Sequence, residues 1–112
     1  MTFEEYQKQA AITDHSVGST LVSADFMAII LGLAGETGEV CEKFKKIYWH
    51  KNGDLDDENR KAIAKELGDV LWYITSLSGH IGIPMEEIAK INIEKLKSRV
   101  ERGVHLGNGD NR

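Results

Sequence analysis

Apolar residues in this chain return every three or four positions and rarely every second one, the period of an amphipathic helix rather than of a half-buried strand. Four such stretches are separated by polar, glycine or proline breaks. The first spans about Thr2 to Thr13, with Phe3, Tyr6, Gln7 and Ala10 along one side, and a polar loop from Asp14 to Ser19 follows. The second starts near Ser23, a suitable N-cap, and runs to about His50. Its stripe is Phe26, Ile30, Leu33, Thr37, Val40, Phe44 and Ile47.

Lys51-Asn52-Gly53-Asp54 is a turn signal, after which Asp56 or Asp57 can cap a third helix. That helix carries Ile63, Leu67, Val70, Ile74, Leu77 and Ile81 as its stripe, and Ile83-Pro84 breaks it. Pro84 suits the first position of a fourth helix, which has Glu86 and Glu87 at its positive end, Met85, Ala89, Leu96 and Val100 on its apolar side, and Gly103 as a stop. The expected fold class is all-α, a small antiparallel helical bundle of about four main helices. One domain occupies residues 1–103, and 104–112 form a flexible tail.

The length of 112 residues leaves room for one domain only. A net charge of −4 argues against a nucleic-acid polymer or an anionic membrane as the main partner. The single cysteine, Cys41, can form no internal disulfide, and the start of the chain lacks a signal-peptide pattern. A reducing cytoplasm is the expected location, with no membrane span.

The chemistry that changes this picture is carboxylic. Acidic residues three apart occur at Glu36/Glu39, Glu39/Glu42, Asp54/Asp57 and Glu66/Asp69, so spacing alone is weak. Position on the helix is stronger. At about 100° per residue, Glu36 lies about 40° from Val40 and about 60° from Leu33, on the shoulder of the stripe, with Glu39 beyond it. Glu66 and Asp69 occupy the matching shoulder of the third helix. Glu39 is 11 residues from His50 and Glu66 is 9 from Asp57, arms of about 14–16 Å that bring the two pairs level in a hairpin. Four carboxylates at a partly buried seam repel one another and call for a cation. Oxygen-only donors without His or Cys fit a hard divalent ion such as Mg²⁺ better than zinc.

Further residues cluster around this seam. Gly32, Gly35 and Gly38 in one helix, with Gly68 beside Asp69, point to close approach of another helix or of a ligand. Asn92, Lys95 and Arg99 share a face of the fourth helix and can hold phosphates. Lys43 and Lys46 follow Glu39 by one and two turns, Tyr73 follows Asp69 by one, and Tyr73 and Trp49 are candidates for stacking on a base. Trp72, opposite the stripe, is read as part of a subunit interface.

Gly35-Glu36-Thr37-Gly38-Glu39-Val40 and Glu66-Leu67-Gly68-Asp69-Val70-Leu71-Trp72-Tyr73, separated by 26 residues between Glu39 and Glu66, resemble the two halves of the MazG-like all-α nucleoside triphosphate pyrophosphohydrolases. The likeness runs from about Tyr6 to Arg99. It implies Mg²⁺-dependent hydrolysis of a nucleoside triphosphate to the monophosphate and pyrophosphate, with Mn²⁺ as a substitute ion, by a homodimer or homotetramer that maintains the nucleotide pool. Residue by residue, the resemblance makes Glu36, Glu39, Glu66 and Asp69 the catalytic metal ligands. It gives Asn92 and Lys95 phosphate contacts, with Lys43, Tyr73 and Arg99 as further substrate-binding residues. Related branches include dimeric dUTP hydrolases and phosphoribosyl-ATP pyrophosphohydrolases.

The chain has no P-loop, no EF-hand loop around Asp54 and no HExxH, and its four histidines are assigned no chemistry. The competing reading is a non-enzymatic helical module that binds nucleotide or metal for regulation.

Overall fold

The computed structural model describes residues 1–50, 52–103 and 107–110. It contains four α-helices: α1 (Phe3–Ile12), α2 (Ala24–His50), α3 (Asp57–Ile81) and α4 (Met85–Glu101). Each boundary has a local cause. Thr2 and Glu5 form a capping box at α1, with Glu5 N–H donating to Thr2 Oγ1 at 3.1 Å and Thr2 N–H to Glu5 Oε2 at 2.8 Å. Ser23 Oγ accepts from Phe26 N–H at 3.2 Å at the start of α2. At α3 the cap is Asp56, which accepts from Asn59 N–H at 2.8 Å. That helix ends on Gly82, whose φ of 71° lies in the left-handed region open to glycine. Pro84 stands one position before the first residue of α4 rather than on it. Lys51, in the expected α2–α3 turn, lies outside the described residues.

The four helices form the expected all-α bundle, in which not every pair is in contact. α2 packs along α3, α1 packs on α3 and α4, and α4 packs on α1 and α3. Among the described residues no contact joins α2 to α4. The 27-residue α2 is about 40 Å long, close to the longest dimension of 44 Å, whereas the shortest is 29 Å. The chain is thus a long hairpin with two shorter helices beside it.

That arrangement corrects the expected core. The buried apolar residues are Ile29, Ile47, Ile63 and Met85. Ile29, rather than Ile30, is the buried isoleucine near the start of α2, and Ile30 and Phe44 are exposed. Leu67, Ile81, Leu96 and Val100 are exposed as well. Trp72 also has contacts within the chain. It is half-buried, its Nε1–H donates to Thr13 Oγ1 at 2.9 Å, and its ring stands edge-on to Tyr73 with centroids 4.9 Å apart.

Small polar residues hold the junction of α1, α3 and α4. Ser78, 1% exposed, accepts from Gln7 Nε2 at 3.1 Å and donates to the Ile83 carbonyl. Gln7 Oε1 in turn accepts from Met85 N–H at 3.2 Å. One glutamine therefore ties three helices, and one serine has all its partners inside the protein.

Ser78→Ala leaves the Gln7 amide and the Ile83 carbonyl each short of a partner in a buried place. A loss of about 1–3 kcal/mol of unfolding free energy is expected, measured by urea denaturation, with helix content preserved.

Candidate metal and nucleotide site

The hairpin brings carboxylates from two helices together. Glu36 of α2 and Glu66 and Asp69 of α3 each offer an oxygen, and these three oxygens lie within 4.8 Å of one another. Glu36 and Glu66 are half-buried and Asp69 is exposed. The structure does not bring the fourth expected carboxylate, Glu39, into this set, and its residue is exposed. At three residues from Glu36 it has turned about 60° further round α2, but its charge still acts on Glu36.

The cluster is electrostatically uncomfortable. Partial burial, followed by the charges of Asp69, Glu66 and Glu39, pushes the Glu36 carboxyl above its ordinary value. Lys43, one turn after Glu39, gives partial relief, with its Nζ 3.5 Å from Glu66 Oε1. Tyr6 of α1 is drawn into the same field, since burial first and Asp69 second raise its phenol. Its part near the site left no sequence signal, because Tyr6 reads as an ordinary apolar-face residue of α1.

The donor set suits a hard divalent cation. It supplies three anionic oxygens and neither sulfur nor imidazole. Opposite ligands of Mg²⁺ stand about 4.2 Å apart at its preferred bond length, so small side-chain rotations suffice to close the 4.8 Å spread. Beside the cluster, a groove of about 380 Å³ is lined by Lys43, Glu58, Lys61, Ala62, Lys65 and Glu66.

The glycines divide into two kinds. A methyl group at Gly32 would overlap the Tyr73 ring, so this glycine lets the aromatic lie against α2. Gly35, Gly38 and Gly68 have open space where a side chain would begin. Tyr73 also borders a cleft of about 180 Å³ with Asp25, Ala28 and Trp72. Trp49 is exposed at the far end of α2, with Lys45 Nζ 5.0 Å from its ring centre.

The expected phosphate-binding residues of α4 sit on a helix that packs on α3, the helix of Glu66 and Asp69. Asn92 is exposed, and α4 makes no contact with α2 among the described residues. Lys95 Nζ and Arg99 Nη2 instead donate to Asp110 Oδ1, at 3.1 and 3.2 Å. Of the 104–112 stretch, residues 107–110 are described, and that carboxylate and the Gly109 carbonyl, which accepts from Arg99 Nη2 at 3.0 Å, link them to α4.

A second polar centre went unread in the sequence. Ser16, 3% exposed, donates through its hydroxyl to Asp14 Oδ1 at 2.6 Å, and its Oγ lies 2.9 Å from His80 Nε2 and 3.3 Å from Ser76 Oγ. Burial alone would raise Asp14, but hydrogen bonds from Ser16 and Ser76 and the charge of His80 bring its carboxyl below the ordinary value. His80 thus helps to fasten the 14–19 loop to α3. The spacing of Ser16 and His80 in sequence, 64 residues, hides this pairing.

Among the described residues, no helix is long and apolar enough to cross a membrane. No solved structure matches the chain. The Gene 37 protein of Mycobacterium phage L5 is 43% identical over 84 residues, covering 75% of this chain and 74% of that protein. The dCTP pyrophosphatase 1 proteins of Rattus norvegicus and Mus musculus are each 31% identical over 88 residues, or 72% of this chain. The chain spans about half the length of these rodent proteins, 48% in each case. The family model of the MazG nucleotide pyrophosphohydrolase domain matches residues 25–104, a range that contains all three clustered carboxylates. The chain belongs to the MazG nucleotide pyrophosphohydrolase family.

Proposed function

We propose that this protein hydrolyses nucleoside or deoxynucleoside triphosphates between the α and β phosphates, giving the monophosphate and pyrophosphate, with Mg²⁺ held by Glu36, Glu66 and Asp69. The observation that carries the reading is the convergence of these three carboxylates on one point of the α2–α3 seam. Mn²⁺ has the same preference for oxygen donors and is the natural substitute. The ion would shield the phosphates and polarise the phosphorus under attack.

The chain's own groups supply the rest. Glu36, Glu66 and Asp69 set the place of the cation and fix where the triphosphate can lie. Lys43, shared with Glu66 at 3.5 Å, can turn its ammonium to a phosphate oxygen once a cation relieves the carboxylate. Glu39, close to the cluster and outside it, is the carboxylate available to take a proton from the attacking water. In the reaction, water oxygen bonds to the α-phosphorus and the bond from that phosphorus to the bridging oxygen breaks. The electron pair leaves with pyrophosphate. Tyr73, seated against Gly32, offers a ring for the base. Asn92, Lys95 and Arg99 are the α4 groups for phosphate.

A homodimer or homotetramer fits the exposed apolar residues of α2 and α4. Met27, Leu31, Ile91 and Leu96 are all exposed in the single chain, and a second copy would cover such surface. The names of the rodent relatives put dCTP among the first substrates to test. Clearing surplus or damaged nucleotides in the cytoplasm is the corresponding role.

The test is pyrophosphate release from a panel of ribo- and deoxynucleoside triphosphates, with and without Mg²⁺, followed by identification of the nucleotide product. Monophosphate plus pyrophosphate, dependent on the ion, is expected. Asp69→Asn should lower turnover beyond the tenfold to about hundredfold that second-layer partners of a metal typically cost, with its circular dichroism unchanged. A folded protein that binds nucleotide and metal yet is silent across the panel would refute the hydrolase in favour of a binding module.

The raised Glu36 carboxyl also makes stability depend on pH. A folded chain that holds this proton more tightly than the unfolded chain suffers no penalty below the ordinary value of 4.5. The penalty grows as pH rises through the higher folded-state value and is complete above it. Without metal, Glu36→Gln should therefore raise the melting temperature at neutral pH and leave it nearly unchanged below pH 4.5, as thermal denaturation at the two pH values would show.

A further inference from the structure

Arg99 is the one charged residue that the described residues bury, at 5% exposure. Its Nη2 donates to the Gly109 carbonyl at 3.0 Å and to Asp110 Oδ1 at 3.2 Å. Lys95, one turn earlier on α4, donates to the same Oδ1 at 3.1 Å. Arg99 Nε is buried and has no hydrogen-bond partner among the described residues. Two cations thus converge on one carboxylate oxygen, and one donor of the guanidinium is still unsatisfied. A phosphate presents more acceptor oxygens in a comparable space than a carboxylate used at a single oxygen, and the guanidinium fork suits it.

The two sides of this contact are unequal. Arg99 and Lys95 are placed by a helix, and Arg99 is enclosed. The Asp110 side chain is 83% exposed and belongs to Gly107-Asn108-Gly109-Asp110, a stretch with no large side chain to anchor it. Lys95 first and Arg99 second hold the Asp110 carboxyl below its ordinary value, so it is charged throughout the neutral range.

We infer that Asp110 is a tethered competitor of the substrate, its carboxylate occupying in the nucleotide-free chain the Lys95–Arg99 anion site that a phosphate of the incoming triphosphate takes. The inference rests on the proposed hydrolase reading and adds a regulatory contact to it. Binding of nucleotide expels Asp110 into solvent, and the occupied site turns away weakly held single anions while yielding to a polyphosphate.

Asp110→Asn removes the charge and keeps the Gly109 carbonyl. Asp57→Asn, at the exposed Asp57 that lies 3.7 Å from Arg60, is the control. For the wild type and both variants, kcat and KM for the best triphosphate are measured, together with calorimetric binding of inorganic tripolyphosphate without metal. Asp110→Asn is expected to lower KM and the tripolyphosphate dissociation constant about two- to fivefold, the range of an exposed ion pair. The gain should shrink at high salt, kcat should hold, and Asp57→Asn should match the wild type. Unchanged affinities would overturn the inference. So would a lower melting temperature with no gain in affinity, which would make Asp110 a structural strap. If the wild type hydrolyses no triphosphate, the hydrolase reading fails, and the tripolyphosphate titration still decides whether Asp110 competes for the site.

Discussion

Repulsion among Glu36, Glu66 and Asp69 is the constraint around which this molecule is arranged. Three carboxylate oxygens within 4.8 Å oppose the packing of α2 on α3, and burial first, with these charges second, raises the Glu36 carboxyl. The hairpin holds them there by other means. Ile29, Ile47 and Ile63 are buried, Gly32 admits the Tyr73 ring, and the Asp56 cap sets where α3 begins. Packing supplies the stability and the seam spends part of it to keep a concentrated negative charge, an arrangement that suits a site for a cation and is hard to explain as a structural necessity.

The shorter helices serve this hairpin from one side. α1 is fastened to α3 and α4 through Gln7 and Ser78, and Tyr6 reaches the field of Asp69. The 14–19 loop is tied back through Ser16 and His80. α4 contributes two cations, Lys95 and Arg99, that close on Asp110. Of the two helices that carry the clustered carboxylates, α4 packs on α3 and makes no contact with α2 among the described residues. The exposed apolar residues of α2 and α4 are the surface on which the proposed oligomer would rest.

Much of this was readable in the sequence, because its main signals are local. Helix period, Ser23, Asp56 and the Ile83-Pro84 break placed all four helices to within a few residues, and the shoulder positions of Glu36, Glu66 and Asp69 followed from 100° per residue. What escaped depends on tertiary placement. Near its start α2 buries Ile29 rather than Ile30, while Ile47 of the expected stripe is buried, a local shift that periodicity does not resolve. Arg99 is enclosed and Leu96 exposed, which reverses the usual order and follows from where α4 lies. Trp72 found its partner in Thr13, and Ser16 in His80, across 59 and 64 residues of chain. Glu39 sits outside the cluster although its spacing matches that of its neighbours.

The most direct test of the account is a titration of the metal-free protein with Mn²⁺, reading the free ion by electron paramagnetic resonance in the wild type and in Asp69→Asn. Saturable binding in the wild type, lost or greatly weakened in the variant while the helices persist, is the expected result. Absence of saturable binding in the folded wild type, or equal binding in the two proteins, would contradict the claim that these carboxylates are assembled to hold a cation.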